Sequence, residues 1–242
     1  MDKDERREAE PLAGSAAHRY DAIVVGGGSS GCALAARLSE NPARRVLLLE
    51  AGDDYPTLED FPREVTLARS MASSFPGHPR NWNFVAELTA NRRYPIARGK
   101  IIGGSSAING TYFVRGRPED FDHWAAQGFD LWSYEQVLPF FRKCETDTDF
   151  DNEFHGQNGP IPLRRPGADE LRPVSRAFVE ACRAAGFGDE PDKNAPGPSG
   201  VGPTPRNVRD GIRISTAIGY LTEARERANL TPTTGRLRQD HD

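Results

Sequence analysis

The stretch from Tyr20 to Glu50 constrains this chain most. It holds two short apolar runs separated by a glycine turn and an Ala/Leu-rich segment. Asp21-Ala-Ile-Val-Val25 suits a buried parallel strand, in which both faces are covered and strict alternation is not required. Gly26-Gly27-Gly28-Ser29-Ser30-Gly31 follows at once. Cys32 to Leu38 then has helical composition, and Arg45-Val-Leu-Leu-Leu49 forms a second strand closing on Glu50 and Ala51. Gly26 permits the tight turn, Gly28 lets backbone approach a pyrophosphate, and Gly31 lets helix and strand pack closely. The first helical amides lack intrahelical partners, and the dipole there is positive, so this end suits phosphates. Glu50, about 20 residues past the glycines, is placed to accept from a ribose 2′-OH and would repel a 2′-phosphate. The pattern predicts an α/β, Rossmann-like fold with a parallel sheet that binds an adenine dinucleotide. NAD and FAD both remain open at this point.

A second glycine- and serine-rich run spans Gly99 to Gly116. Gly103-Gly104 allow close backbone approach to a ligand. Ser105 and Ser106 add hydroxyls and amides suited to a phosphate or a polar ring edge. Asn109 offers both a donor and an acceptor. Taken alone, the run also fits a helix N-cap after a tight turn.

Together the two motifs resemble the glucose–methanol–choline (GMC) family of FAD-dependent oxidoreductases. The run from Gly99 to Asp122 is similar to the family's first signature throughout. Trp82-Asn-Phe84, Asp120-Phe-Asp-His-Trp124, Trp132 to Phe141, Gly156-Gln-Asn-Gly-Pro160 and Gly211-Ile-Arg-Ile-Ser-Thr-Ala217 agree as well. The resemblance covers roughly residues 20–231. It implies an FAD-binding domain over 20–153 with a ββα-type parallel sheet. Residues 154–206 would open a second, substrate-binding domain with a Pro/Gly-rich loop, and 207–231 would return to the first domain. The cofactor-binding set it implies is Gly26, Gly27, Gly28, Ser29, Ser30, Gly31, Glu50 and Ala51 on the dinucleotide side. On the flavin side it is Trp82, Gly103, Gly104, Ser105, Asn109, Gly110, Thr111 and Tyr112. The implied reaction is oxidation of a small-molecule alcohol, with hydride transfer to the flavin.

Two departures stand out. Some family members carry the flavin covalently on a histidine in the second loop. Ile108 occupies that place here, so FAD is expected to be held non-covalently. By resemblance, the family's catalytic histidine and its His or Asn partner lie near the C-terminus of full-length members. His18, His78, His123, His155 and His241 match none of these motifs, and no catalytic residue is assigned. Residues 232–242 read as a charged tail without buried alternation, unrelated to the fold. The expectation is a truncated or frameshifted product, inactive alone; the alternative is a non-catalytic flavin-binding or interaction module.

Composition narrows the partners. With 31 basic and 35 acidic residues the net charge is −4, with no basic stripe for nucleic acid. No apolar stretch approaches the ~18 residues of a membrane span. Met1 to Arg19 is charged and lacks the apolar core of a secretory signal, and reads as a disordered arm. Three widely spaced cysteines, Cys32, Cys144 and Cys182, argue for reduced thiols and a cytoplasmic setting. Cys32 sits where a thiolate would be favoured, but a packed small residue is the expected role. Arg115 and Arg117 are expected as salt-bridged surface residues. Pro118 reads as a helix N1 residue, and Ser133 with Gln136 as a capping box. Val174, Ala177, Phe178, Ala181 and Ala185 have helical spacing and are expected in the core, with Gly186 as the C′ residue. The aromatics from Phe121 to Phe141 are expected to pack against one another.

Overall fold

The computed structural model describes residues 19–235. All but the last residue of the expected N-terminal arm, and residues 236–242, lie outside that range. The chain runs β1 (Ala22–Val25), α1 (Ser29–Leu38), β2 (Val46–Glu50), α2 (Arg63–Thr66), β3 (Phe84–Thr89) and β4 (Arg92–Ile96). It continues through α3 (Pro118–Ala126), α4 (Tyr134–Cys144), β5 (Glu145–Asp147), β6 (Ile161–Leu163) and α5 (Pro173–Ala184). β7 (Val208–Arg209), β8 (Ile212–Arg213), α6 (Thr222–Ala224) and β9 (Leu230–Thr234) complete it. Among the described residues no helix is long and apolar enough to cross a membrane.

The strand–helix–strand unit read from the sequence forms the centre. β1 pairs parallel with β2, from Ala22 opposite Val46 to Val25 opposite Leu49. α1 buries Cys32, Ala35 and Ala36, the i, i+3, i+4 stripe of an amphipathic helix. These side chains are all small, so the helix axis comes close to the sheet. Val24, Val46 and Leu48 meet them, and Ile101, Ile102, Ala107, Ile214 and Leu221 close the core from the second loop and the return segment.

Four expectations change. Among the described residues the sheet has three strands in the order β1-β2-β9, and β1 lies at its edge. Ile23 and Val25 stand 59% and 76% exposed rather than buried, because none of the described elements covers their face of β1, whereas Val24 on the other face is buried. Second, the fold-related chain does not stop at Thr231. β9 stays in parallel register with β2 as far as Thr234 opposite Glu50. Pro232 is tolerated because β9 is also an edge strand. Only Leu230 of β9 is buried, so the strand carried no apolar alternation to read.

Third, α5 has the expected spacing and Gly186 the left-handed φ of +89° of a C′ residue. Its apolar stripe is nevertheless bare, with Val174 74% and Phe178 65% exposed, because none of the described elements covers it. Fourth, Arg115 is not a surface residue. It is buried and paired with Glu145 at 2.6 Å, while Arg117 is exposed as expected.

Pro118 opens α3 and the Ser133 hydroxyl caps α4 by accepting from the Gln136 amide. Phe121 contacts Trp124, Tyr134 and Phe141, and Trp124 meets Trp132 edge-on.

Candidate dinucleotide site

Gly26 takes a φ of +95°, in the left-handed region that glycine enters without penalty, and turns the chain out of β1. A Cβ on Gly31 would lie 1.8 Å from the Gly26 carbonyl oxygen, so helix and turn touch at that point. Gly27 is the knot of the first loop. Its amide donates to Glu50 Oε2 at 2.7 Å, and its carbonyl accepts from the Gly103 amide at 2.7 Å and from Cys32 Sγ at 3.0 Å. Glu50 is buried, and its other oxygen accepts from the Gly52 amide at 2.8 Å. Burial pushes the Cys32 thiol up to about 12, so it is a packed thiol rather than a nucleophile.

The second loop is pressed against the first. Gly103 and Gly104 both have positive φ, and a Cβ on Gly104 would fall 2.6 Å from Gly28 Cα. Residues 104–107 form one 3₁₀ turn. Within it the Ser106 amide donates to Ser29 Oγ at 3.1 Å, and Ser106 Oγ accepts from the Thr216 amide at 3.0 Å. Two backbone loops distant in sequence are thus locked edge to edge, with the return segment as their brace.

Beside them lies a cleft of about 560 Å³. Gly28, Ser29, Gly104 and Ser105 form one wall; Trp82, Phe84, Val85, Ala86, Ile96, Arg98 and Gly99 form the other. A Cβ on Gly28 would meet only Gly104 Cα, at 3.9 Å, so at its two glycines this wall is bare backbone. Trp82 stacks on Phe84 with centroids 5.9 Å apart, and Lys100 Nζ sits 5.0 Å from the Trp82 ring centre. Among the described residues the lining contains no Asp, Glu or His. Exposed backbone at a helix N-terminus, a cation and aromatic surface fit a polyanionic ligand with flat rings.

The remaining residues of the expected set fall elsewhere. Ser30 is exposed on the first turn of α1, and Ala51 follows β2; neither lines the cleft. Asn109 Oδ1 accepts from the Thr111 amide at 2.9 Å, within its own loop. Thr111 is fully buried at a φ of +66°, and its hydroxyl donates to the Gly110 carbonyl and accepts from Arg206 Nε. Thr111 therefore shapes the backbone from inside. Gly110 and the exposed Tyr112 are also outside the cleft lining. Sequence reading gave no role to Thr216 or Arg213, which hold the second loop; the Gly211–Ala217 motif was the available signal.

A separate buried cluster joins Glu145, Asp147 and His155, whose ligand atoms lie close enough to hold a metal. The cluster already has its cations. Arg115 binds Glu145, and Arg165 binds Asp147 at 2.9 Å and Asp192 at 3.0 Å. His155 Nδ1 lies 2.9 Å from Asp147 and its Nε2 lies 2.7 Å from Asp192. Burial alone would lower the His155 pKa. Hydrogen bonds to Asp147, Asp192 and Glu145 outweigh burial and raise the pKa to about 10. Burial would likewise raise Asp147, but His155, the Asp149 amide and Arg165 hold it well below the usual carboxylate range. An imidazolium and two guanidiniums leave no room for a metal's charge. A larger groove of about 670 Å³, between Arg37, Tyr220 and Ile214, shares no residue with the cleft.

The fold is Rossmann-like, with a cleft beside its glycine turn. More narrowly, the chain belongs to the GMC oxidoreductase family, whose profile matches residues 20–236. It is 47% identical to an uncharacterised GMC-type oxidoreductase of Rhodococcus erythropolis, over 89% of this chain and 43% of that protein. It is 39% identical to an oxygen-dependent choline dehydrogenase of Vibrio vulnificus, over 87% of this chain and 37% of that one. Its fold superposes on pyridoxine 4-oxidase from Mesorbium loti with a TM-score of 0.82 and 38% identity, covering 90% of this chain and 42% of the other. The chain thus spans about two fifths of the length of the relatives it matches.

Proposed function

We propose that this chain is the cofactor-holding portion of an FAD-dependent oxidoreductase acting on CH–OH groups of small alcohols. One observation carries the reading: Gly28 and Gly104 meet backbone to backbone and bare their main chain to a cleft that Trp82, Phe84 and Arg98 line from the other side. Gly28, Ser29 and the first amides of α1 hold the pyrophosphate. Glu50, with lone pairs left after its bonds to Gly27 and Gly52, takes the adenosine ribose hydroxyls. Trp82 and Arg98 cover the flavin side, together with Ser105. Ile108 is buried and has no nucleophile, so the cofactor is held non-covalently.

When bound, FAD supplies the redox chemistry by taking two electrons from the alcohol carbon. This chain's residues bind and orient the cofactor. Among the described residues none in the cleft lining is an Asp, Glu or His that could take up the hydroxyl proton. A positioned general base contributes about 10²–10⁴-fold, so the chain alone should turn over little or no alcohol. That same lining favours a second reading, a flavin-binding module without catalysis. The two part on one assay: alcohol-dependent dye reduction by the FAD-loaded chain, alone and with a polypeptide supplying the rest of the family fold. Robust reduction by the lone chain would overturn the claim of inactivity. No reduction even in the pair would favour the module. The three cysteines are free thiols, in keeping with a reducing cytoplasmic setting.

A further inference from the structure

Arg213 is the bulkiest fully buried side chain among the described residues. It lies in β8, and its guanidinium meets no carboxylate among the described residues. Nη1 donates to the carbonyls of Val65 and Ala107, Nη2 donates to the Ser70 carbonyl, and Nε has no partner. Burial and the like charge of Arg206 push its pKa down to about 10, which leaves it protonated at neutral pH. Arg206 lies close by and is half-buried. Its Nε donates to Thr111 Oγ1 at 2.8 Å and its Nη2 to the Ala68 carbonyl at 3.4 Å, and the Glu170 carboxylate is near enough to feel its charge. A fold rarely buries a cation without a counter-charge, because desolvation is then offset by neutral dipoles alone. Arg213 is such a cation, and Arg206 lies beside it under the same stretch of chain.

That stretch is the second glycine loop. Ala107, which Arg213 grips, ends the 3₁₀ turn that begins at Gly104. The Gly104 end abuts Gly28, and the Ser106 amide is tied to Ser29 in α1. Arg213 also ties that turn to the 65–70 segment, so three pieces of chain are fixed by one group.

We propose that Arg213, supported by Arg206, is a positioning residue for the dinucleotide: it clamps the second glycine loop from beneath, and its uncompensated charge is balanced when the anionic pyrophosphate binds. This inference rests on the reading that the cleft holds FAD. The charge acts through protein rather than water, where electrostatic effects are screened least.

The test compares FAD affinity of the full chain with that of Arg213→Met and Arg213→Lys, by flavin fluorescence quenching, with the melting of each apo-protein recorded beside it. Arg213→Met, similar in bulk but neutral, should bind FAD about tenfold more weakly, the order expected of one poorly screened charge. Arg213→Lys should recover most of that loss, which a role in packing or geometry alone would not give. Equal affinity in the wild type and Arg213→Met would overturn the inference, as would a lysine variant as weak as the methionine one. If Arg213→Met does not fold, Arg206→Gln takes its place: weaker FAD binding by a few-fold supports the inference and unchanged binding overturns it. Wild-type protein that binds no FAD would remove the FAD reading and this inference together. Wild-type binding with unaffected variants would remove this inference alone.

Discussion

The Glu50 carboxylate accepts the Gly27 amide proton at 2.7 Å and so ties the end of the second strand to the glycine turn after the first. The acid that the sequence assigns to a ribose is therefore also a structural group, buried and bonded by two backbone amides. Glu50→Gln keeps the shape but turns an NH₂ toward one of those amides. Leaving a buried donor unmatched costs about 1–3 kcal/mol, so a lower urea midpoint with an unchanged slope is expected. An unchanged midpoint would show that the two amides find other acceptors.

Gly28 and Gly31 should respond to alanine in opposite ways. Gly31→Ala places a methyl 1.8 Å from a backbone oxygen of the neighbouring turn, which nothing flexible can relieve. Against a typical total stability of about 5–15 kcal/mol, that displacement of helix from sheet should abolish cooperative folding. Gly28→Ala meets nothing nearer than 3.9 Å and should melt like the wild type. Its methyl enters the cleft, and FAD affinity should fall by about tenfold or more, the cost of blocking close backbone approach. Circular-dichroism melting and a flavin titration separate the two effects.

The buried His155 cluster sets an alkaline limit. The His155 pKa is raised to about 10 in the folded chain, against about 6.5 unfolded. Its contribution is thus complete below about pH 6.5 and is lost as pH climbs toward 10. Asp147 works in the other direction, since its folded pKa is depressed. Its contribution is present above about pH 3.9 and is lost as pH falls below that. Stability measured by urea across pH should therefore decline on the alkaline side. His155→Gln should cost about 3–5 kcal/mol at neutral pH and flatten that decline. An alkaline limb as steep in the variant as in the wild type would assign the decline to another group.

Chelators should leave the melting temperature unchanged, and added zinc should not raise it. Arg115 and Arg165 already occupy the positions around Glu145 and Asp147 that a metal would need. A zinc-dependent rise would mean that the guanidiniums can swing away.

How much of this was legible in the sequence follows from distance along the chain. Gly26, Gly28, Gly31 and Glu50 could be read because each acts on its immediate neighbours or on a strand within one strand–helix–strand unit. The Gly103–Gly104 pair was legible as a motif, but its docking on Gly27 and Gly28 needs the fold. Arg213, Arg115 and His155 were not legible. Each is buried by partners from remote segments, and a charged residue has no local signal that distinguishes burial from solvation. The bare faces of β1 and α5 were missed for the converse reason: apolar spacing states which side of an element wants cover, not whether an element covers it.

Those bare faces should make the isolated chain self-associate. Ile23→Thr with Val25→Thr should reduce light scattering while shifting stability by less than about 0.5 kcal/mol, as for substitutions outside a packed core. Loss of folding in that variant would show that the β1 face is covered after all.

The most direct test of the account is a visible absorbance spectrum of the purified chain after FAD loading and desalting, recorded before and after denaturing precipitation. The account predicts a flavin spectrum that stays with the folded protein and passes entirely into the supernatant on denaturation. A chain that remains colourless after FAD loading would contradict it, because the two interlocked glycine loops would then not suffice to hold the cofactor.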